Sequence, residues 1–322
     1  MPPSCLHIDS IEKLLTTSSS LINPTPSVAD LSFEEIIISL AHEPSDATTS
    51  STTINALNEI PFLFLLNIRA IESVTIELII PVPSVYLFPW HAISKWADLS
   101  ALSITAALPN VATLAFGLVA LPNLNSLKLD VEYLEPSNSG QPLPRHPSTH
   151  LTLLEVGFRG FAIFHWLATS RARETSIGTL ALKIDEEDIL PLMDYVVRHP
   201  GATQYLSISL YHRRYIHVLA SCLMHFTQVL EIELYLKYLP TRGYKGCLQA
   251  ICSAIRSRDL EMLTVYVPEL PKGFREERKL LQLAESCLLQ TQLEVVGKGR
   301  EEESEEEDGY APCVASCQRS WM

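Results

Sequence analysis

Seven cysteines, ten histidines and 37 acidic residues give this 322-residue chain the raw material for metal binding, thiol chemistry or acid–base catalysis. Their spacing decides which of these is open to it. The closest cysteine pairs are Cys247-x4-Cys252 and Cys313-x3-Cys317, and neither has a second pair at zinc-finger spacing. Cys252 shares an apolar helical pattern with Ile251 and Ile255. Small apolar thiols in such a pattern are expected to be buried rather than to ligate a metal. His212, His217 and His225 lie along one helix-like segment, five and eight residues apart. A helical metal pair uses i, i+4 spacing, so these read as solvated or core histidines.

The carboxylate pairs Glu186-Glu187 and Glu276-Glu277 sit at expected helix starts, where negative charge favours the helix dipole. A solvated face explains them without acid–base chemistry. No Gly-x-Ser-x-Gly elbow, phosphate-cradling glycine loop or Gly-x-Gly-x-x-Gly phrase appears, and 12 glycines leave little material for one. We therefore expect no catalytic residue, no metal ligand and no cofactor. Ser304, flanked on both sides by glutamates, has the surroundings an acidophilic kinase favours, against which stands an unmodified solubilising tail.

The elements that position side chains are easier to read. Across residues 151–236 a short apolar phrase returns every 26 residues: Leu154-x-Val156, Leu180-x-Leu182, Leu206-x-Ile208 and Ile232-x-Leu234. Leu151, Ile177 and Val229 stand three positions earlier and make the unit L-x-x-L-x-L, broken once by Thr203. Strict alternation in residues 205–211 and 230–237 predicts strands with one aliphatic face. Between them, residues 161–169, 188–197 and 215–226 read as helices. A strand plus a helix at this period predicts an α/β leucine-rich-repeat-like solenoid, with a parallel sheet on one face and helices on the other.

The phrase extends upstream as Ile71-x-x-Val74-x-Ile76 and Leu99-x-x-Leu102-x-Ile104, and downstream to Leu260-x-x-Leu263-x-Val265 and Leu293-x-Val295. Residues 90–96 have the length of one or two helical turns, and residues 275–289 look helical. One irregularity stands out. Leu108-Pro109-Asn110-Val111 and Leu121-Pro122-Asn123-Leu124 are near copies, each leading into a strand-like phrase, Val111-x-x-Leu114-x-Phe116 and Leu124-x-x-Leu127-x-Leu129. A parallel crossover needs about a dozen residues, more than lie between them. Either one of these strands does not join the sheet, or a repeat has lost its helix.

The formal charge of −13 is concentrated: residues 301–303 and 305–308 carry seven of the negative charges and leave −6 on the rest. Lys272, Arg275, Arg278 and Lys279 are interleaved with Glu276 and Glu277, so no basic patch for nucleic acid is expected. An odd cysteine count, with neither a basic stretch nor an apolar run at residues 1–5, predicts reduced thiols in the cytoplasm or nucleus. Residues 99–127 hold no charge and could span a bilayer. Pro109-Asn110 and Pro122-Asn123 interrupt them, and their leucines fit the repeat, so no membrane association is expected.

Alternation turns one set of side chains outward: Glu155, Lys183, Tyr205, Ser207, Glu231, Glu233, Tyr235 and Tyr266. Tyrosine supplies rigid contact area and is enriched where binding energy concentrates, which makes this set the candidate protein-binding face. The same residues are also ordinary strand formers. Residues 1–60, rich in Ser, Thr and Pro, are expected to be irregular, with a capping strand at residues 28–33. The solenoid is expected over 61–297 and an acidic disordered tail over 298–322.

The Leu-Pro-Asn-Leu-x-Ser-Leu-x-Leu phrase at residues 121–129, Phe164-His165-Trp166-Leu167 after a repeat strand, and the acidic tail together resemble fungal F-box proteins with a C-terminal leucine-rich-repeat-like solenoid. The stretch from Lys13 to Ser20, followed by residues 28–33, resembles the region after the F-box. The resemblance implies a substrate-recognition subunit that joins a cullin-type ubiquitin ligase through its adaptor. Two departures stand against it. The nearest F-box candidate, Leu31-Ser32-Phe33-Glu34-Glu35-Ile36-Ile37, lacks the proline and the tryptophan, so the F-box itself is not evident. At the ninth repeat position, where many leucine-rich repeats place Asn, stand Arg159, Asp185, Tyr211 and Lys237. Three functions stay open: a non-enzymatic interaction scaffold, an enzyme of unrecognised type, and a truncated or decayed family member without a ligase role.

Overall fold

The computed structural model describes residues 5–10, 12–14, 16–17, 33–41, 72–79, 90–93, 96, 98–133, 143–144, 149–157, 160–169, 175–184, 190–201, 203–236, 244–255, 257, 259–267, 292–298 and 312–316. Two compact units divide the chain, Met1–Thr175 and Ser176–Met322, and both are α/β.

The first unit holds strands β1 (Cys5–Ile8), β2 (Glu35–Ala41), β3 (Ser73–Ile79), β4 (Ala101–Leu108), β5 (Ser126–Tyr133) and β6 (Thr149–Val156). Helices α1 (Trp90–Ile93), α2 (Val111–Val119) and α3 (Ile163–Ala168) accompany them. The strands pair in parallel and in chain order. The repeat phrase sets their register: Ile36, Val74, Leu102, Leu127 and Leu154 form one row, and Ile38, Ile76, Ile104, Leu129 and Val156 the next. Every member of both rows is at most 3% exposed. A strand repeats every two residues, so a one-residue slip would turn all ten into water, and the pattern itself locks the register.

The second unit repeats the scheme with β7 (Thr175–Ile184), β8 (Thr203–Leu210), β9 (Glu231–Leu236), β10 (Met262–Val267) and β11 (Gln292–Lys298), parallel and in order. Helices α4 (Leu190–Arg198), α5 (Ile216–Leu223) and α6 (Tyr244–Ala254) lie between strands. Leu180, Leu206, Ile232 and Leu263 make one buried row, and Leu182, Ile208, Leu234 and Val265 the next.

Stacked backbone bonds hold the strand starts where an asparagine ladder is absent. The Glu34 carbonyl accepts from the Glu72 and Ser73 amides, Glu72 from Ser100 and Ala101, Ser100 from Asn125 and Ser126, and Asn125 from Thr152 and Leu153. Each acceptor thus uses both carbonyl lone pairs on two consecutive amides of the next repeat. In the second unit Gln204 accepts from Leu230, and Leu230 from Glu261 and Met262. At the strand ends, Gly157 N–H donates to the Leu129 carbonyl, and the amide of Tyr211, which stands at the ninth repeat position, donates to the Ile184 carbonyl.

Three expectations change, and one further stretch is placed. First, Val111-x-x-Leu114-x-Phe116 is not a strand but the first half of α2. Asn110 is extended (φ −162°, ψ 174°), and its side chain accepts from the Thr113 amide at 3.0 Å, which caps the helix. The irregularity is thereby resolved, because Leu124-x-x-Leu127-x-Leu129 alone supplies the strand, β5. Second, residues 1–60 contain two strands, β1 and β2, where an irregular segment was expected; of the capping strand placed at 28–33, residues 28–32 lie outside the described residues. Third, residues 35–37 of the nearest F-box candidate, where no F-box was evident, lie in β2. Fourth, the tail is not without structure: β12 (Pro312–Ser316) pairs antiparallel with β11. The helix expected at 275–289 and the acidic run at 301–308 lie outside the described residues.

The remaining helical expectations hold with shifted ends. Residues 90–96 give the single turn α1, 161–169 and 215–226 contain α3 and α5, and the helix expected at 188–197 is α4, which runs one residue further. Among the described residues no helix is long and apolar enough to cross a membrane.

Candidate protein-binding face

Parity along the strands places each member of the outward set. Glu155 lies on β6 in the first unit, in register with Lys128, whose Nζ is 3.3 Å from its carboxylate. The other seven lie in the second unit: Lys183 on β7, Tyr205 and Ser207 on β8, Glu231, Glu233 and Tyr235 on β9, and Tyr266 on β10. Tyr205 is 40% exposed, and the rest are half-buried.

Register gathers these seven into three rows. Tyr205, Glu231 and Met262 belong to the first; Ala181, Ser207, Glu233 and Thr264 form the second; Lys183, Ser209, Tyr235 and Tyr266 form the third. Ala181, Ser209, Met262 and Thr264 thus belong to this face although sequence reading did not single them out. Their signal was parity alone, and small or plain side chains gave it no emphasis.

In the third row the Tyr235 and Tyr266 rings stack in parallel, with centroids 4.3 Å apart and planes 3° from each other. Tyr235 Oη donates to Glu233 Oε2 at 3.2 Å. Burial pushes the Tyr235 hydroxyl well above its ordinary range, and the Glu233 carboxylate and Tyr266 beside it push the same way. The phenol therefore stays neutral and remains a donor to Glu233.

The groups considered for chemistry lie elsewhere. Cys222 on α5 and Cys252 on α6 are buried, and burial pushes the Cys222 thiol up to about 12, far from a reactive thiolate. His212 and His217 are exposed and His225 is half-buried, on and around α5. Of the two cysteine pairs, Cys317 is outside the described residues, as are Glu186, Glu187, Glu276, Glu277 and Ser304. Among the described residues no group of three or more His, Cys, Asp or Glu is placed to hold a metal ion.

No protein-family model matches the chain, and no curated protein matches it significantly.

Proposed function

We propose that the chain is a non-enzymatic protein-interaction scaffold, built of leucine-rich-repeat-like coils into a solenoid, that presents the outward face of β8–β10 to a partner protein. The observation that supports this reading is the row arrangement on that face. Three tyrosines and two glutamates stand on adjacent strands, with the Tyr235–Tyr266 stack and the Tyr235–Glu233 hydrogen bond fixing their positions. Rigid aromatic side chains lose little freedom on binding, so such a face is suited to contact. Together with the resemblance of the repeats, this favours a substrate-recognition role related to cullin-type ubiquitin ligases.

Two measurements separate the parts of the proposal. Purification of the tagged full-length chain from cells tests the ligase part: adaptor and cullin are expected to co-purify, and their absence removes that part alone. The doubly charge-reversed variant Glu231→Lys/Glu233→Lys tests the face. It should lose its specifically bound proteins while melting as the wild type does, and an unchanged set of bound proteins would sink the scaffold reading.

A further inference from the structure

Strand β12 runs antiparallel to β11, whereas β7 to β11 pair in parallel. It covers residues 294–298 of β11, setting Ser316 opposite Glu294, Ala315 opposite Val295, Val314 opposite Val296, Cys313 opposite Gly297 and Pro312 opposite Lys298. Its sequence makes it a weak cover. Pro312 has no amide to give the ladder, and Val314 is the one β-branched residue of the strand. Register carries the row of Leu234, Val265 and Val295 on to Ala315, so the aliphatic series ends on the smallest member. Residues 299–311 connect the two strands, where an antiparallel hairpin uses about two to five. Closing so long a connection costs more entropy than closing a tight turn, and its seven negative charges repel one another.

The stretch that β12 covers is complementary to itself. Two copies of residues 294–298, laid antiparallel about a two-fold axis at Val296, set Glu294 opposite Lys298 at both ends, Val295 opposite Gly297 and Val296 opposite Val296. Opposite charges facing each other across a ladder stabilise it, and no proline interrupts this one. At the two charged positions β12 offers only Ser316 and Pro312. We infer that β12 is a displaceable cover, and that the edge of β11 beneath it pairs with β11 of a second copy of this chain across a two-fold axis. This contact uses the strand edge and not the outward face of β8–β10, so its test is independent of that reading.

The test compares full-length chains by size exclusion with light scattering over a range of concentrations. Val314→Pro/Ala315→Pro removes the central amides of β12, so it should free the edge and shift the chain from monomer to dimer. Adding Lys298→Glu sets glutamate against glutamate at both ends and should weaken that dimer at least about tenfold. Adding Glu294→Lys as well restores opposite charges and should restore the dimer. A proline variant as monomeric as the wild type overturns the inference. So does a dimer that is indifferent to Lys298→Glu or is not rescued by the exchange of charges. If the proline variant does not melt as the wild type does, Val314→Gly/Ala315→Gly, which weakens the strand but keeps its amides, is read in the same way. Hydrogen exchange of the wild type checks the cover itself: residues 313–316 should open at lower free energy than Met262–Val267, and equal protection of the two strands overturns the inference.

Discussion

Tyr235 and Tyr266 are in register on β9 and β10, and their rings stack 4.3 Å apart with planes 3° from parallel. A cross-strand aromatic pair contributes about 0.5–1.5 kcal/mol beyond its buried area. Tyr266→Ala should therefore lower stability by about 1 kcal/mol and leave the Tyr235 ring without its support. Denaturant titration reads the stability change. Tyr235→Phe keeps the stack and removes only the hydroxyl's hydrogen bonds, to Glu233 and Tyr266, on a half-exposed face, so its midpoint should stay close to the wild type's.

The buried rows should be far less tolerant than the face. Leu206 and Ile232 are neighbours in one row and each is 1% exposed. Truncating either to alanine removes apolar area and opens a cavity, at a cost of about 2–5 kcal/mol. Ser207→Ala, one residue along and facing outward, should change stability by less than about 0.5 kcal/mol. Equal costs at the inner and outer positions would contradict the alternation.

Helix α2 depends on its cap and on one close approach. Asn110→Ala removes the acceptor for the Thr113 amide and hydroxyl and should cost about 1 kcal/mol. At Gly117 an added Cβ would overlap the Trp90 ring. Gly117→Ala should therefore destabilise, by about 1–3 kcal/mol of overpacking set against less than about 1 kcal/mol of improved helix propensity. Thermal melting of both variants checks the pair, and a stabilised Gly117→Ala would place Trp90 elsewhere.

Alkaline stability follows from the buried acids. The Cys222 thiol is raised from 9.0 to about 12, and Tyr133 and Tyr195 are also raised by burial. A folded-state pKa above the unfolded value means that the native chain holds the proton longer. This contribution is whole below pH 9 and is lost as pH rises from 9 towards 12. Melting temperature should fall across that window, and Cys222→Val should make the fall shallower. In alkylation followed by mass spectrometry near pH 8, exposed Cys5 should react in the native state, and Cys222 and Cys252 only after unfolding.

Much of this arrangement was legible in the spacing of aliphatic residues. The anchors from Val74 to Val295 fall on strands, since a period-2 pattern with β-branched and Leu side chains has one good solution when a single face is buried. The paired Leu-Pro-Asn phrases show where local reading fails. Asn123 precedes alternation, Leu127-Lys128-Leu129-Asp130-Val131, and leads into β5. Asn110 precedes Val-Ala-Thr-Leu-Ala and caps α2, yet the apolar phrase Val111-x-x-Leu114-x-Phe116 has strand spacing too. The Asn110 cap and the continuous apolar run decided between them. Strands β1 and β2 give weak signals, because Cys5–Ile8 has only two apolar anchors and the short apolar piece Ile36–Leu40 stands in a stretch rich in Ser, Thr and Pro. They form because neighbouring strands complete their rows, which is information from distant residues.

The face was half legible. Parity placed Glu233, Tyr235 and Tyr266 outward, but which strand stands beside which, and hence that Tyr235 meets Tyr266 over Glu233, follows only from the pairing.

Native-state hydrogen exchange at the strand starts bears most directly on the claim that the repeating phrase stacks parallel strands in register. The amides of Ser73, Ala101, Ser126 and Leu153, each bonded to the preceding repeat's carbonyl, should be protected together and lose protection in one cooperative step. Exchange of these amides at the rate of an unstructured chain would contradict the stack, and with it the face proposed to bind a partner.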